Sequence, residues 1–212
     1  MLEKTRHKLY YEPEILKSLD NDSFPKFISS YNYNDTEGYI LEYISGKDFY
    51  EILSEDDYIF SKNEIYNIAE EILNIIDILQ ENNIVHRDIR VPNIILNENN
   101  KLVLIDFGLA RYIDDERYLK EIDYWYLADF LLHLYYTSYE ESDDDEERPW
   151  YEELDLSKDE ITFLKRLMSL EEKYKSTEEI RVYLNNIKNL NKWSEVNKLY
   201  GLFIKLYSLL FI

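Results

Sequence analysis

From 62 to 82, KNEIYNIAEEILNIIDILQEN carries Ile65, Ile68, Ile72, Ile75, Ile76 and Leu79 on an i, i+3, i+4, i+7 stripe, with Glu, Asn and Asp between them. That period predicts an amphipathic helix. Residues 5 to 20, TRHKLYYEPEILKSLD, space Leu9, Ile15, Leu16 and Leu19 in a similar way and predict a helix whose start is softened by Pro13. Between these two, FPKFISSYNYNDTEGYILEYI has two apolar-aromatic runs around a polar NDTEG turn, the pattern of a β-hairpin. The runs NIIL and LVLI flank NENNK and predict a second, smaller hairpin. DYWYLADFLLHLYYT, 123 to 137, has aromatics and Leu on nearly every face and predicts a buried helix, and amphipathic helices follow at about 157–170 and 177–189. No internal repeat is evident.

Composition narrows this picture. A chain of 212 residues can hold one domain or two small lobes sharing a cleft. Its 4 Gly and 4 Pro argue against a turn-rich all-β fold. Lys and Arg number 24 against 44 Asp and Glu, a net charge of −20, which disfavours nucleic acid or an anionic membrane as a partner and favours a basic one. With no Cys there is no disulfide framework, thiolate metal site or Cys nucleophile, as expected of a reducing compartment. The first residues, MLEKTRHKLYYEPE, are charged and lack the apolar stretch of a secretory signal, so a cytoplasmic location is expected.

The chemistry-bearing stretch is IVHRDIRVPNIIL. Asp88 and Asn93 lie five apart, and Asp106 of D-F-G lies eighteen after Asp88. Phosphoryl transfer from ATP to a hydroxyl needs a carboxylate to orient the attacking oxygen and oxygen ligands to hold Mg²⁺ on the phosphates. These three side chains supply that set. The pattern resembles the eukaryotic-like protein kinase family, whose signature is H-R-D-x-x-x-x-N followed by a hairpin and D-F-G.

The resemblance covers roughly residues 12 to 190 and implies an α+β, mainly helical, protein-kinase-like fold. It implies a reduced N-lobe at 1–42, a complete helical C-lobe at 43–190 and an apolar C-terminal helix at 191–212. By the same resemblance Asp88 would be the catalytic carboxylate, Asn93 and Asp106 the Mg²⁺ ligands, and Arg90 a cation near the transferred phosphate, where many relatives have Lys. Around ATP, YILEYISGKDF resembles the strand and hinge that carry adenine. Leu41 would be the gatekeeper, the backbone of Glu42 and Ile44 would pair the base, Asp48 would lie near the ribose, and Ile95 would floor the pocket. Asp123, leading DYWYLADFLLHL, would hydrogen-bond the catalytic-loop backbone.

The pattern also breaks. Glu12 stands where such folds present a Glu to a strand Lys that grips the α- and β-phosphates, yet no G-x-G-x-x-G occurs, and Lys4 and Lys8 are too near in sequence to come from an adjacent strand. Two accounts compete: a degenerate small lobe, or a reading frame that starts after the first strands of a longer protein. From Asp106 to Asp123 there are only seventeen residues, with no A-P-E and no Ser or Thr from 109 to 122, so a Ser/Thr phosphorylation switch is excluded there. Arg87, which in relatives pairs with that phosphate, is expected to meet Asp114, Asp115 or Glu116 instead.

The reading is a small, bacterial-type kinase homologue that transfers the γ-phosphate of Mg·ATP to Ser/Thr hydroxyls of protein, weakly because the Gly-rich loop and strand Lys are missing. A pseudokinase scaffold and a small-molecule or lipopolysaccharide kinase are the alternatives. The acidic run at 139 to 147 reads as a solvated loop. LYGLFIKLYSLLFI, 199 to 212, is too short for a bilayer and reads as a helix docked on the large lobe or on a second copy, which would make a homodimer.

Overall fold

The computed structural model describes residues 11–33, 36–114, 116–140 and 148–192. The first described element is helix α1, 11–18, whose Ile15 and Leu16 are buried and whose Glu14, Lys17 and Ser18 are exposed. The antiparallel hairpin β1 (Phe27–Tyr33) and β2 (Thr36–Leu41) follows, as the apolar-aromatic runs predict. Helix α2 (Phe49–Ser54) and the long helix α3 (Lys62–Glu81) come next.

Both helices begin on a capping box. Asp48 accepts from the Glu51 N–H while Glu51 returns to Asp48, and Ser61 and Glu64 repeat the arrangement. Each box satisfies two backbone donors that the first turn leaves unpaired. The predicted stripe of α3 is then buried, with Ile72, Ile76 and Leu79 fully enclosed and Ile68 half-buried.

After α3 the chain makes two short pairings. Strand β4 (Ile84–Val85) pairs with β7 (Arg111–Tyr112), enclosing the segment between them. The predicted small hairpin is β5 (Ile94–Asn97) with β6 (Leu102–Leu104), and it gains a third strand, β3 (Gly46–Asp48), against β5. Strands β3, β4 and β7 were not expected from the sequence, because two or three residues are too few to show a period of two. Gly46 is specified by geometry: its φ is +150°, and a Cβ there would meet the Leu96 carbonyl and stand 2.8 Å from the Asn97 Cα.

Helix α4 (Glu121–Tyr136) packs on α3 and α6 with buried residues around most of its circumference. The short α5 (Trp150–Glu153), α6 (Lys158–Leu167) and α7 (177–192) complete the described chain. A single cluster of apolar residues runs from Ile15 to Ile187 through α3 and α4. Buried Glu160 fastens α6 to α3, accepting from Tyr66 Oη at 2.7 Å and Lys62 Nζ at 3.0 Å. Residues 141–147 of the acidic run, the C-terminal segment 199–212, Lys4 and Lys8 lie outside the described residues, and among the described residues no helix is long and apolar enough to cross a membrane.

Candidate active site

The loop between β4 and β5 is pinned from below by α4. Asp123, in the first turn of that helix and fully buried, accepts from the N–H of Arg87 at 2.7 Å and of His86 at 2.8 Å. Burial pushes its carboxyl up to about 7, while the two amides and the Arg87 charge pull it back. The clamp falls on a left-handed backbone position, Arg87 with φ +68°. The Arg87 guanidinium donates to the Leu109 carbonyl at 3.1 Å and lies 4.8 Å over the Tyr118 ring. The expected partner Asp114 is corrected by this arrangement: its Oδ1 accepts from the N–H groups of Glu116, Arg117 and Tyr118, holding its own turn. Asp115 lies outside the described residues.

Asp88 follows directly on that clamped turn and is itself nearly buried. Its carboxylate takes a two-point contact from Arg90, Nε to Oδ1 at 2.6 Å and Nη2 to Oδ2 at 2.9 Å. Asn93 donates its Nδ2 to Asp88 Oδ2 and to the Asp88 carbonyl, both at 2.9 Å. Asn93 ends a short helical turn, Val91–Asn93, with Pro92 inside it and Arg90 just before it. The turn brings Asn93 back over Asp88, so the five-residue spacing becomes a direct contact.

Asp106 is reached through the backbone. The Ile105 N–H donates to the Asn93 carbonyl at 2.9 Å, setting the exposed Asp106 beside the Asp88–Asn93 pair. Asp106 is left-handed, φ +61° and ψ +73°, and its Oδ1 accepts from Gly108 N–H at 3.2 Å. Phe107 then turns inward, edge-on to His86 at 4.7 Å and to Phe24 at 5.6 Å. Burial draws the His86 pKa down to about 4, against the Asp106 charge and the Ile105 backbone, and neither ring nitrogen has a hydrogen-bond partner of good geometry.

Glu12, on α1, joins this centre from the other side. Its Oε1 accepts from Phe107 N–H at 3.2 Å and its Oε2 from the Tyr39 hydroxyl. Burial first, and then the Glu12 carboxylate, raise the Tyr39 pKa, so the phenol remains a donor. No sequence signal separated Tyr39, or Tyr118, from the other aromatics: among 21 tyrosines, only the fold tells which ones face a charge.

The expected adenine-binding residues lie along one connection. Leu41, paired with Phe27, ends β2. Glu42 is tied to Lys26 twice, by its N–H to the Lys26 carbonyl at 2.8 Å and by its Oε2 to the Lys26 N–H at 3.1 Å. Neither bond uses the Glu42 carbonyl or the Ile44 N–H. Asp48 is committed through Oδ1 to the α2 cap, accepting from Glu51 N–H at 2.8 Å, and faces Ile95 across the β3–β5 pair. Thus Asp88, Arg90 and Asn93 touch one another, and Asp106 and Glu12 are linked to them through the backbone of 105–107.

The donor set suits a hard divalent cation. Both Asn93 Nδ2 bonds go to Asp88, which fixes the amide so that Oδ1 is turned elsewhere, and the exposed Asp106 supplies a carboxylate. Mg²⁺ is ordinarily held by one or two such side chains together with substrate phosphates and water.

A family model of the protein kinase domain matches residues 1–146. A probable serine/threonine-protein kinase of Bacillus subtilis, YbdM, is 34% identical over 188 residues, covering 86% of this chain and 73% of that protein. A probable serine/threonine-protein kinase KIN1 homolog of Encephalitozoon cuniculi is 30% identical over 106 residues, and the serine/threonine-protein kinase RUNKEL of Arabidopsis thaliana 32% over 110. Those matches cover 50% and 52% of this chain but only 19% and 8% of the two larger proteins. The clamped H-R-D turn, the Asp88–Asn93 contact and the adjoining D-F-G segment therefore sit in a chain that belongs to the protein kinase family.

Proposed function

We propose that this chain binds Mg·ATP and transfers its γ-phosphate to Ser or Thr hydroxyls of a protein, with the cleft between residues 1–42 and 43–190. The contact between Asp88 and Asn93 supports the reading best, because a carboxylate in the role of general base and an amide oxygen for the metal would then act side by side. Asp88, steadied by Arg90 and Asn93, orients the acceptor hydroxyl and takes up its proton. Arg90 stands ready to shift part of its charge toward the transferred phosphate. Asn93 and Asp106 hold the cation, which supplies charge neutralisation between the phosphates. The Glu42 carbonyl, the Ile44 N–H and the Leu41 and Ile95 side chains receive the base, and Asp48 stands toward the ribose. The naming of YbdM as a probable serine/threonine-protein kinase supports protein as the acceptor.

A second reading, a nucleotide-binding scaffold with little turnover, draws on Glu12. Among the described residues its carboxylate meets a phenol and an amide rather than a lysine, so nothing described there grips the α- and β-phosphates. The test is incorporation of γ-phosphate into a basic protein mixture, with Asp88→Asn and Asp106→Asn as controls and Mg·ATP binding measured in parallel. Transfer lost in both variants supports the enzyme. Binding without transfer in the parent chain supports the scaffold, and transfer to sugars or antibiotics but not to protein overturns the choice of acceptor.

A further inference from the structure

One short stretch of chain, 118–123, holds Arg87 at both ends. The Arg87 N–H donates to Asp123 Oδ1 at 2.7 Å, and its guanidinium lies 4.8 Å over the Tyr118 ring. A third contact comes from the segment after D-F-G, through the bond from Arg87 Nη1 to the Leu109 carbonyl at 3.1 Å. The residue directly before Asp88 therefore joins the H-R-D turn, the D-F-G segment and the entry to α4.

The chain delivers the Tyr118 ring by a series of fixed steps. Strand β7 runs against β4, and the next residue, Ile113, donates its N–H to the Asn83 carbonyl at 2.8 Å while its own carbonyl accepts from Asn83 Nδ2 at 3.3 Å. Asp114 then closes a turn. Its Oδ1 accepts from the N–H groups of Glu116 at 3.1 Å and of Arg117 and Tyr118 at 2.8 Å, and its own N–H points back to the Tyr118 carbonyl at 3.4 Å. These amides, that of Tyr118 first, hold the Asp114 carboxyl below the usual carboxylate range, so the turn keeps its acceptor at neutral pH. Tyr118 emerges half-buried, with the Arg117 guanidinium also 5.5 Å from its ring.

An aromatic face attracts a guanidinium within about 6 Å of its centroid, more strongly where water is excluded. Being uncharged, the ring holds the cation without neutralising it, and the Arg87 charge remains free to steady the buried Asp123 carboxylate. We propose that Tyr118 is a positioning residue for phosphate transfer: its ring, set by the Asp114 turn, anchors the Arg87 guanidinium and keeps the Asp88 turn in its reactive shape with no added phosphate. Without the ring the backbone clamp at Asp123 persists, but the guanidinium loses one of its two anchors. A small displacement of reacting groups then costs a large factor in rate. The consequence for transfer rests on the kinase reading; the contact itself does not.

The test compares Tyr118→Leu, which keeps bulk without a π face, with Tyr118→Phe, which keeps the ring without the hydroxyl. Tyr118→Leu is expected to lower kcat for phosphate transfer by about tenfold with Mg·ATP affinity within about twofold, and Tyr118→Phe to stay within about twofold of the parent in both. Tyr151→Leu removes a contact of the same kind far along the chain, with Lys165 at 4.0 Å, and is expected to leave transfer within about twofold. Phosphatase treatment of the parent is expected to change nothing. A Phe variant as weak as the Leu variant would mean that the hydroxyl, or a phosphate on it, does the holding, and would overturn the proposal. So would full activity in Tyr118→Leu, an equal loss in Tyr151→Leu, or loss of transfer on phosphatase treatment. Amide hydrogen exchange across 84–90 reports the anchor without any turnover: about tenfold faster exchange in Tyr118→Leu, with Tyr118→Phe like the parent, supports it, and equal rates in all three overturn it. A parent chain that transfers no phosphate but shows this exchange pattern sinks the kinase reading alone.

Discussion

Glu12 reaches across 95 residues of sequence to accept the Phe107 amide at 3.2 Å. The same carboxylate takes the Tyr39 hydroxyl, so α1, strand β2 and the D-F-G segment meet at one side chain. A hydrogen bond to a charged group contributes about 1.5–3 kcal/mol. Tyr39→Phe is therefore expected to lower stability in urea unfolding by roughly that amount and to weaken Mg·ATP binding, since Asp106 precedes the tethered amide. A variant with unchanged stability and unchanged nucleotide affinity would show that the contact does not position D-F-G.

Asp88 and Asn93 lead to separable losses. Asp88→Asn keeps the shape of the side chain and much of its hydrogen bonding but cannot take a proton. Phosphate transfer is expected to fall by about 10²–10⁴ while Mg·ATP affinity stays within about twofold. Asn93→Ala removes both the amide that steadies Asp88 and the oxygen proposed for the cation, so it is expected to lose transfer and nucleotide affinity together. Single-turnover kinetics beside calorimetry separates the two patterns; identical patterns would contradict the division of roles.

Asp123→Ala deletes the acceptor for two backbone donors at once. Leaving a buried donor unpaired costs about 1–3 kcal/mol, and here His86 and Arg87 both lose theirs. Destabilisation of at least about 2 kcal/mol in denaturant is expected, with Asp123→Asn recovering part of it by keeping one acceptor. A loss below about 0.5 kcal/mol would mean that the turn is held chiefly by its other contacts.

The helices were legible because periodicity repeats: five turns of α3 give the Ile stripe many chances to show itself. The H-R-D and D-F-G residues were legible for another reason, since their types and spacing match a known family pattern, and the same resemblance implied the Asp123 contact with the catalytic-loop backbone. Tyr39, Tyr118 and Phe24 were not legible. Each acts through a single contact with a residue distant in the chain, and a single contact leaves no pattern among neighbours. Arg87 misled for the same reason, because acidity nearby in sequence suggested Asp114, whereas Asp114 was already committed to the backbone of its own turn.

The pH dependence of folding isolates His86. Its ring is fully buried between polar backbone and the Phe107 edge, and its pKa falls from 6.5 to about 4. A group depressed in this way contributes stability that is present above pH 6.5 and lost as the pH falls toward and through 4, because the unfolded chain takes up the proton first. Asp123 runs the other way: its pKa is raised from 3.8 to about 7, so its contribution is full at low pH and lost as the pH rises through 7. Over the shared window the two oppose each other, and the parent chain hides both. His86→Phe removes one of them while keeping a ring against Phe107. Between pH 7 and pH 5 the unfolding free energy of the variant is expected to gain on the parent by about 2 kcal/mol, since a proton bound only by the unfolded chain is worth about 1.36 kcal/mol for each pH step of one. Subtracting the two curves cancels the remaining carboxylates, which are common to both. Parallel curves would mean that the folded protein protonates His86 as readily as the unfolded chain does, and that the ring is not sealed behind the D-F-G phenylalanine.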